Sequence, residues 1–265
     1  MHNNSSEMKY FRIGFAGAGN VAWHLAQDLE KAGHLVPVIY SRDRENAMVL
    51  ASQLYDTQVS DSLDFSEWPL DLLIVAVHDD ALRLVAEMLV VQENTIVVHT
   101  SGSQPMEVLE ILGDDYGVLY PLQTFTKEKG IDLSDTPFCI EAVNTRVHEI
   151  LFAVAKSLSS KVVVMDTEQR KSLHLAAVFA NNFSNHMLFW AKTIADAEGI
   201  DFQLLKPLAR ETVEKAFMMM PELAQTGPAK RGDQQTMEAH LALLENNPEL
   251  KALYKALSFS IRQNT

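Results

Sequence analysis

Three small residues near the start of the sequence are spaced so that they could bind a phosphate group. Gly17, Gly19 and Ala22 follow an apolar run at residues 11–15 and open a stretch with helical spacing of apolar residues. Gly17 would permit a tight turn, Gly19 lacks a Cβ and lets the backbone approach a pyrophosphate, and Ala22 lets the helix pack closely on the strand. The helix N-terminus would offer unpaired N–H groups to the phosphates. The pattern predicts a dinucleotide-binding turn, although glycines at this spacing can also serve a turn alone.

The end of the second predicted strand bears on which dinucleotide binds. In folds of this type a carboxylate about 20 residues after the glycines bonds to the ribose 2′-hydroxyl of NAD. Here Ser41 and Arg42 stand at that point, and Asp43 follows one residue later. A hydroxyl and a guanidinium suit a 2′-phosphate. We therefore expect NADP, with NAD as the less favoured cofactor, although Arg42 could instead be a solvated loop residue.

Other strand ends are expected to face the nicotinamide half of the cofactor, because ligands of parallel sheets bind beyond the carboxyl ends of the strands. The candidate cofactor-binding residues are Gly17, Gly19, Asn20, Val21, Ser41, Arg42, Val77, His78, Thr100, Ser101 and Gly102. Residues 120–124 follow another of these strands. Ser101 could also be a helix cap, and His78 could equally be an ordinary loop histidine.

A polar group on a later helix could line a substrate site. At about 100° per residue, His174, Asn181 and Asn185 would lie within about 40° of one another on one helix face, among mostly apolar residues. Because histidine titrates near neutral pH, His174 could act as a general acid. Asn181 could orient the substrate or polarise its carbonyl or imine. The alternative is an internal hydrogen-bond network or a helix–helix contact.

A second candidate is the segment at residues 226–233, which its glycine and proline content predicts to be a loop. Arg231 or Lys230 could hold a substrate carboxylate there. Alternatively, the segment is a structural turn in which Asp233 caps the following helix. The candidate catalytic residues are thus His174, Asn181 and Arg231.

The candidate cofactor-binding residues must be positioned by the elements around them, and the first part of the chain predicts alternating strands and helices. Strands are predicted at residues 11–15, 36–40, 72–77, 95–99, 118–120, 138–140 and 162–165. Helices are predicted between them at residues 21–32, 44–54, 81–90 and 145–158, and then at 169–198, 202–220, 234–244 and 250–260. The alternation predicts an α/β, Rossmann-type, doubly wound and mostly parallel sheet at residues 1–165. An all-helical domain is expected at residues 166–265.

Composition limits the classes of partner. The 265 residues carry 35 acidic and 22 basic side chains, a net charge of −13, which disfavours binding to nucleic acid or anionic membranes. The single cysteine, Cys139, excludes an intrachain disulfide and favours a reducing compartment. Residues 1–9 are polar and no run approaches the ~18 apolar residues of a membrane span. We expect a cytoplasmic protein with no metal site, because its histidines do not cluster with other ligands.

The chain resembles the bacterial Rossmann-like NADP oxidoreductases that carry a C-terminal helical domain of unknown function. The resemblance covers nearly all of the chain and rests on residues 17–22, residues 120–125, His174, Asn181, Asn182 and residues 226–233. The N-terminal half also resembles deazaflavin-dependent NADP oxidoreductases and pyrroline-5-carboxylate reductases. The resemblance implies a 6-phosphogluconate dehydrogenase C-terminal-like helical domain and a homodimer formed through it. It also implies hydride transfer between the nicotinamide and a small imine, ketone or alcohol in a cleft between the domains.

One departure from related families bears on the reaction. The 6-phosphogluconate and β-hydroxyacid dehydrogenases carry a catalytic lysine four residues before an asparagine on the equivalent helix. Ala177 and Val178 stand four residues before Asn181 and Asn182 here. The resemblance therefore disfavours alcohol oxidation by the lysine mechanism and leaves imine or carbonyl reduction open. The missing lysine also keeps a second hypothesis open, a non-catalytic dinucleotide-binding sensor or binding module.

Overall fold

A computed structural model describes residues 10–264 of the chain. The polar residues 1–9, on which the expectation of a missing signal segment depends, lie outside the described residues. Within the described range, none of the helices is both long and apolar enough to cross a membrane. The chain divides into two compact units, with the division between Asn181 and Asn182.

One sheet of eight strands forms the centre of the first unit. Its strands are β1 (Ile13–Ala16), β2 (Val38–Tyr40), β3 (Gln58–Ser60), β4 (Leu72–Val75), β5 (Ile96–His99), β6 (Tyr116–Pro121), β7 (Phe138–Ala142) and β8 (Val162–Val164). They lie in the order β3-β2-β1-β4-β5-β6-β7-β8, and neighbours pair in parallel except β6 with β7. The strand order reverses between β1 and β4, the point at which such sheets bind ligands. The predicted α/β fold with a mostly parallel, doubly wound sheet is confirmed.

Helices cover both faces of this sheet. They are α1 (Asn20–Lys31), α2 (Arg44–Ala51), α3 (Asp79–Met88), α4 (Thr145–Leu158) and α5 (Thr167–Ala177), with a 3₁₀ helix at Met106–Leu112. In β4, Leu72 and Ile74 share an apolar core with α1 and α4, whereas Leu73 and Val75 share another with α3. Successive side chains of a strand point to opposite faces. A central strand packed on both faces explains the uninterrupted apolar sequence of β4.

The second unit is helical. Its elements are α6 (Ser184–Ala197), α7 (Lys206–Met219), α8 (Pro221–Ala224), α9 (Pro228–Arg231), α10 (Gln234–Leu243) and α11 (Pro248–Asn264), with a 3₁₀ helix at Phe202–Leu205. The predicted helical C-terminal region is confirmed. The exact boundary near residue 165 stays a prediction. The last strand ends at Val164, whereas α5 still belongs to the first compact unit.

The prediction that residues 226–233 form a loop is corrected by the structure, because a one-turn helix, α9, lies inside this segment. Pro228 is the first residue of this helix, and Gly232, at φ +69°, follows its last residue. Proline fits the first helical position, and glycine fits the left-handed residue after a helix end. The two residue types that suggested a loop are therefore those that begin and end a short helix.

The helix expected at residues 169–198 is also interrupted. A π-helical turn at Val178–Phe183 lies between α5 and α6. A π turn bonds residue i to i+5, so each residue advances by a smaller angle than in an α helix. The single face calculated for His174, Asn181 and Asn185 assumed an unbroken α helix, and that angle does not apply across the π turn.

Candidate functional site

The turn after β1 has the backbone that a phosphate ligand requires. Gly17 adopts φ +115°, and a Cβ there would lie 2.3 Å from the carbonyl oxygen of Ala76. Only glycine fits that position. A Cβ on Gly19, by contrast, would meet no described atom within 4 Å. Protein packing therefore does not explain the glycine at position 19, whereas close approach of a ligand to the backbone does.

The N-terminus of α1 lacks a capping side chain. Gly19 occupies its N-cap position, and its first turn contains no acidic residue. Four other helices begin with a side chain that accepts a backbone hydrogen bond: Asp43 for α2, Asn144 for α4, Asp166 for α5 and Asp233 for α10. Helices α3, α6, α7, α8 and α9 lack such a cap, as α1 does. The first amides of a helix need acceptors, and a phosphate can supply them. This end of α1 and its open glycine fit the pyrophosphate of a dinucleotide.

The charged residues after β2 differ in whether they already have partners. Asp43 caps α2, accepting hydrogen bonds from the Glu45 amide at 3.1 Å and from Nδ2 of Asn46 at 2.9 Å. Arg44 forms an ion pair with Asp61. Arg42 is exposed. Among the described residues no ion pair involves Arg42, so its guanidinium is available to an anion at the end of β2.

A cavity of about 410 Å³ opens at the carboxyl edge of the sheet. It is lined by Val21, Val77, His78, Asp79, Asp80, Thr100, Ser101, Gly102, Tyr120 and His174. The cavity therefore brings together Val21 beside the glycine turn, the candidate cofactor-binding residues after β4 and β5, and the candidate general acid His174. Ser41 and Arg42 do not line it, and they follow β2 instead.

The loop after β5 is held in shape by a buried histidine. Nδ1 of His99 accepts a hydrogen bond from the Ser101 amide at 3.1 Å, which leaves the ring hydrogen on Nε2, 3.3 Å from the Pro105 carbonyl oxygen. Burial, followed by the charge of Arg170, lowers the pKa of His99 to about 4. Oγ of Ser101 accepts from the amides of Ser103 and Gln104, each at 3.1 Å. Neutral His99 and Ser101 therefore fix the loop that carries Gly102.

Tyr120 and His174 form a hydrogen-bonded pair in the wall of the cavity. Oη of Tyr120 lies 3.0 Å from Nδ1 of His174, and the rings meet edge to face at 72°. Gly102 packs so tightly on the pair that a Cβ there would lie 2.6 Å from Nδ1 of His174. Burial raises the pKa of Tyr120 to about 12. The tyrosine therefore keeps its hydroxyl proton near neutral pH and can donate it to the histidine.

Arg170 connects the helix that carries His174 to the sheet and to the β5 loop. Its side chain is fully buried, forms an ion pair with Glu141 on β7 and donates to the Gln104 carbonyl oxygen. Arg170 precedes His174 by one turn of α5. It therefore fixes the position of the histidine relative to the loop that contains Gly102.

The remaining candidates are not among the residues that line the cavity. Asn181 is exposed in the π turn. Arg231 and Lys230 are exposed at the end of α9 in the second unit. Oδ1 of Asp233 accepts from the Thr236 amide at 3.1 Å, so the alternative that Asp233 caps the next helix is confirmed. The described residues contain no group of three potential metal ligands in a suitable arrangement.

Sequence reasoning did not select Tyr120 and Arg170 as site residues. Tyr120 offered a signal, because it ends a predicted strand and begins one of the segments that carry the family resemblance. Arg170 offered a weaker one, an arginine four residues before His174 on the same helix. Its partner Glu141 lies 29 positions away in the sequence, which no local pattern indicates.

Comparisons with known proteins agree with this architecture. Residues 2–123 match a Rossmann-like domain, and residues 136–261 match a domain of unknown function, DUF2520. None of the curated proteins matches the chain.

Three solved structures are similar over nearly the whole chain. A putative NADP oxidoreductase from Bacteroides fragilis is 38% identical, with a TM-score of 0.87 over 97% of this chain and 100% of that chain. A protein from Thermotoga maritima is 25% identical, with a TM-score of 0.78 over 95% and 98%. An imine reductase from Myxococcus stipitatus in complex with NADP+ shares the fold at 16% identity, with a TM-score of 0.69 over 95% and 93%. The extent and identity of the Bacteroides match show that the chain belongs to the family that joins a Rossmann-like domain to a DUF2520 domain.

Proposed function

We propose that the protein is an NADP-dependent oxidoreductase that transfers a hydride between the nicotinamide and a small imine, ketone or alcohol. The observation that carries the proposal is the Tyr120–His174 pair in the wall of a cavity beside Gly102. The uncapped N-terminus of α1 adds a phosphate site at the same edge of the sheet. The names of the Bacteroides and Myxococcus proteins support the same class of cofactor and reaction.

In this proposal the cofactor lies along the carboxyl edge of the sheet. Gly17 and Gly19 with the amides of Asn20 and Val21 hold the pyrophosphate. Ser41 and Arg42 hold the adenosine end, and Val77, His78, Thr100, Ser101 and Gly102 contact the nicotinamide half. NADP is favoured over NAD because Asp43, the nearest carboxylate, already bonds to α2 and is not free to accept from a ribose hydroxyl.

His174 is the proposed general acid. When a bound nicotinamide supplies a hydride to the carbon of a C=N or C=O bond, the nitrogen or oxygen must gain a proton. Tyr120 is proposed to donate to Nδ1 of His174, with the ring hydrogen on Nε2. As Nε2 gives that hydrogen to the substrate, Nδ1 takes the hydroxyl proton of Tyr120, so the ring stays neutral and water returns a proton to the phenolate. Asn181 is proposed to orient the substrate, and Arg231 or Lys230 to hold a carboxylate on it.

The test is turnover of NADPH with a panel of imines, keto acids and aldehydes, followed by nicotinamide absorbance. His174→Ala should lower kcat by about 100-fold or more and leave the Kd for NADPH within about threefold. His148→Ala, which changes a histidine of α4 outside the cavity, is the matched control. Full turnover by His174→Ala would remove the acid assignment. Tight NADPH binding by the wild type without turnover on the whole panel would instead favour the non-catalytic sensor.

A homodimer formed through the helical unit is part of the proposal. Helix α7 contains no buried residue, and its apolar side chains Leu208, Val213 and Phe217 are exposed, Phe217 by 86%. Large exposed apolar patches usually mark protein contacts. Sedimentation should give a dimer for the wild type and a monomer for Phe217→Glu, and a wild-type monomer would contradict the proposal. A cytoplasmic location, which rests on the lone Cys139, also stays a proposal.

A further inference from the structure

The connection between β6 and β7, residues 122–137, lies across the start of α1. Nδ2 of Asn20 donates to the Phe125 carbonyl oxygen at 3.1 Å, and Nε2 of His24 donates to the Thr126 carbonyl oxygen at 2.9 Å. The His24 and Phe125 rings also contact each other, with centroids 5.4 Å apart. Two successive backbone carbonyls of the connection are thus bound to the first helix, which fixes the position of the residue that follows them.

That residue is Lys127, and its side chain reaches the start of α2. The ammonium lies 5.4 Å from the centroid of the Trp23 ring on α1, and Nζ donates to Oδ1 of Asn46 at 3.2 Å. Nδ2 of Asn46 in turn donates to the capping carboxylate of Asp43. A cation from a distant part of the chain is therefore held at the first turn of α2, immediately beyond the end of β2.

The partners of Lys127 hold its charge in place without neutralising it. An indole ring and an amide oxygen are neutral, and in the described part of the chain no ion pair includes Lys127. Both oxygens of Asp43 already accept other hydrogen bonds, whereas Arg44 is paired with Asp61. The charge of Lys127 also helps to lower the pKa of Glu128, after the hydrogen bond from Thr126, but the two side chains form no direct ion pair. Because a half-buried cation without a direct ion pair is costly, and Arg42 adds an exposed cation at the end of β2, the arrangement suits a doubly charged anion there.

We propose that Lys127 determines cofactor specificity by binding the 2′-phosphate of NADP together with Ser41 and Arg42. The inference rests on the proposed function, because it requires a nicotinamide dinucleotide in the turn after β1. It adds a residue that the β2–α2 connection does not contain. The cation comes from the β6–β7 connection, so the packing of that connection on α1 becomes part of the discrimination between NADP and NAD.

The experiment measures Kd by calorimetry for NADPH, NADH, adenosine 2′,5′-bisphosphate and adenosine 5′-monophosphate. Within each pair the ligands differ by the 2′-phosphate alone. Lys127→Met should weaken binding of the two 2′-phosphorylated ligands about tenfold, as expected for a hydrogen bond to a charged group. Binding of the other two should stay within twofold. Lys129→Met removes the same charge from the same connection and should change none of the four.

The wild-type and variant measurements separate the two possible failures. If the wild type binds NADPH more tightly than NADH but Lys127→Met keeps the same ratio, the role of Lys127 is wrong and the proposed function stands. If the wild type binds neither dinucleotide, the proposed function itself fails. An equal loss of all four ligands in Lys127→Met would also overturn the inference, because it would indicate a disturbed turn. Lys127→Arg should recover most of the ratio, since it restores the charge.

Discussion

The hydroxyl oxygen of Tyr120 on β6 lies 3.0 Å from Nδ1 of His174 on α5, although 54 positions separate the two residues. Burial raises the pKa of the tyrosine to about 12, so the phenol keeps its proton and, in the proposed mechanism, donates it in a hydrogen bond to the imidazole nitrogen. With the phenol as donor, a residue of the sheet would set the tautomer of a histidine that α5 brings to the cavity. Such a partner prepares an imidazole for proton transfer before a substrate binds.

Tyr120→Phe should therefore alter the tautomer of His174 while it leaves the fold largely intact. Loss of the hydroxyl should cost about 1 kcal/mol of unfolding free energy and lower turnover by about tenfold or more. Nitrogen-15 NMR of the imidazole should show hydrogen on Nε2 in the wild type and a mixture of tautomers in the variant. An unchanged tautomer in Tyr120→Phe would show that the phenol does not control the ring.

Gly102→Ala should separate Tyr120 from His174. A Cβ at position 102 would lie 2.6 Å from Nδ1 of His174 and 2.9 Å from Cζ of Tyr120, so the rings must move. We expect a loss of about 1–3 kcal/mol in unfolding free energy, together with loss of the tautomer preference. Gly130→Ala is the matched control, because a Cβ there meets no described atom within 4 Å. Equal stability of the two variants would contradict the tight packing at Gly102.

Replacement by valine should mainly lower stability at Gly17 and mainly weaken cofactor binding at Gly19. Gly17→Val forces a side chain onto a positive φ and against the Ala76 carbonyl oxygen, so it should lose about 3 kcal/mol or more of unfolding free energy. Gly19 has φ −77° and open space around it, so Gly19→Val should lose only about 1 kcal/mol. It should nevertheless weaken NADPH binding by about 100-fold or more, as measured by calorimetry. Tight NADPH binding by Gly19→Val would show that the backbone at Gly19 does not bind the phosphates.

The fold could be predicted because its signals are local. The glycine turn, the apolar run of β4 and the helical spacing of α4 each lie within about 15 residues, and periodicity over such windows distinguishes strands from helices. β3 was missed because it has three residues at the sheet edge, and its Gln58 is exposed. The π turn was missed because no sequence period distinguishes it from the α helices on either side.

The site could be predicted only in part, because it combines residues that are far apart in the sequence. The predicted residues after β4 and β5 line one cavity because strand ends in a parallel sheet meet at one edge, whereas their contact with a cofactor stays a prediction. Tyr120 and Arg170 required knowledge of which strand and which helix become neighbours. Lys127 required more, because its position depends on two hydrogen bonds between the β6–β7 connection and α1.

Arg170→Met should be the most destabilising change near the cavity. It removes the cation from a buried pair and leaves the carboxylate of Glu141, which is 13% exposed, without its ionic partner and with only the Thr167 hydroxyl bonded to it among the described residues. Breaking such a pair from one side costs about 3–5 kcal/mol. The double variant Arg170→Met with Glu141→Gln should recover part of that loss, as measured by chemical denaturation. If the single and double variants lose the same stability, the ion pair does not account for the effect of Arg170.

His99 should make the stability of the protein depend on pH in a defined direction. Burial lowers its pKa from 6.5 to about 4 in the folded chain, so the unfolded chain binds the proton first as pH falls. The stabilising contribution is therefore complete above about pH 6.5 and is lost as pH falls towards about 4. At 1.36 kcal/mol per pKa unit, this loss amounts to about 2 kcal/mol between pH 7.5 and pH 5.

The measurement compares His99→Asn with the wild type at these two pH values by chemical denaturation. The amide oxygen of an asparagine can still accept from the Ser101 amide, but the side chain does not titrate. The variant should be less stable at pH 7.5, and the difference between the two proteins should narrow by about 2 kcal/mol at pH 5. A difference that stays constant would mean that His99 titrates alike in the folded and unfolded chains. Because His34 is also buried and its pKa is lowered by burial, the remaining pH dependence of His99→Asn should have the same sign.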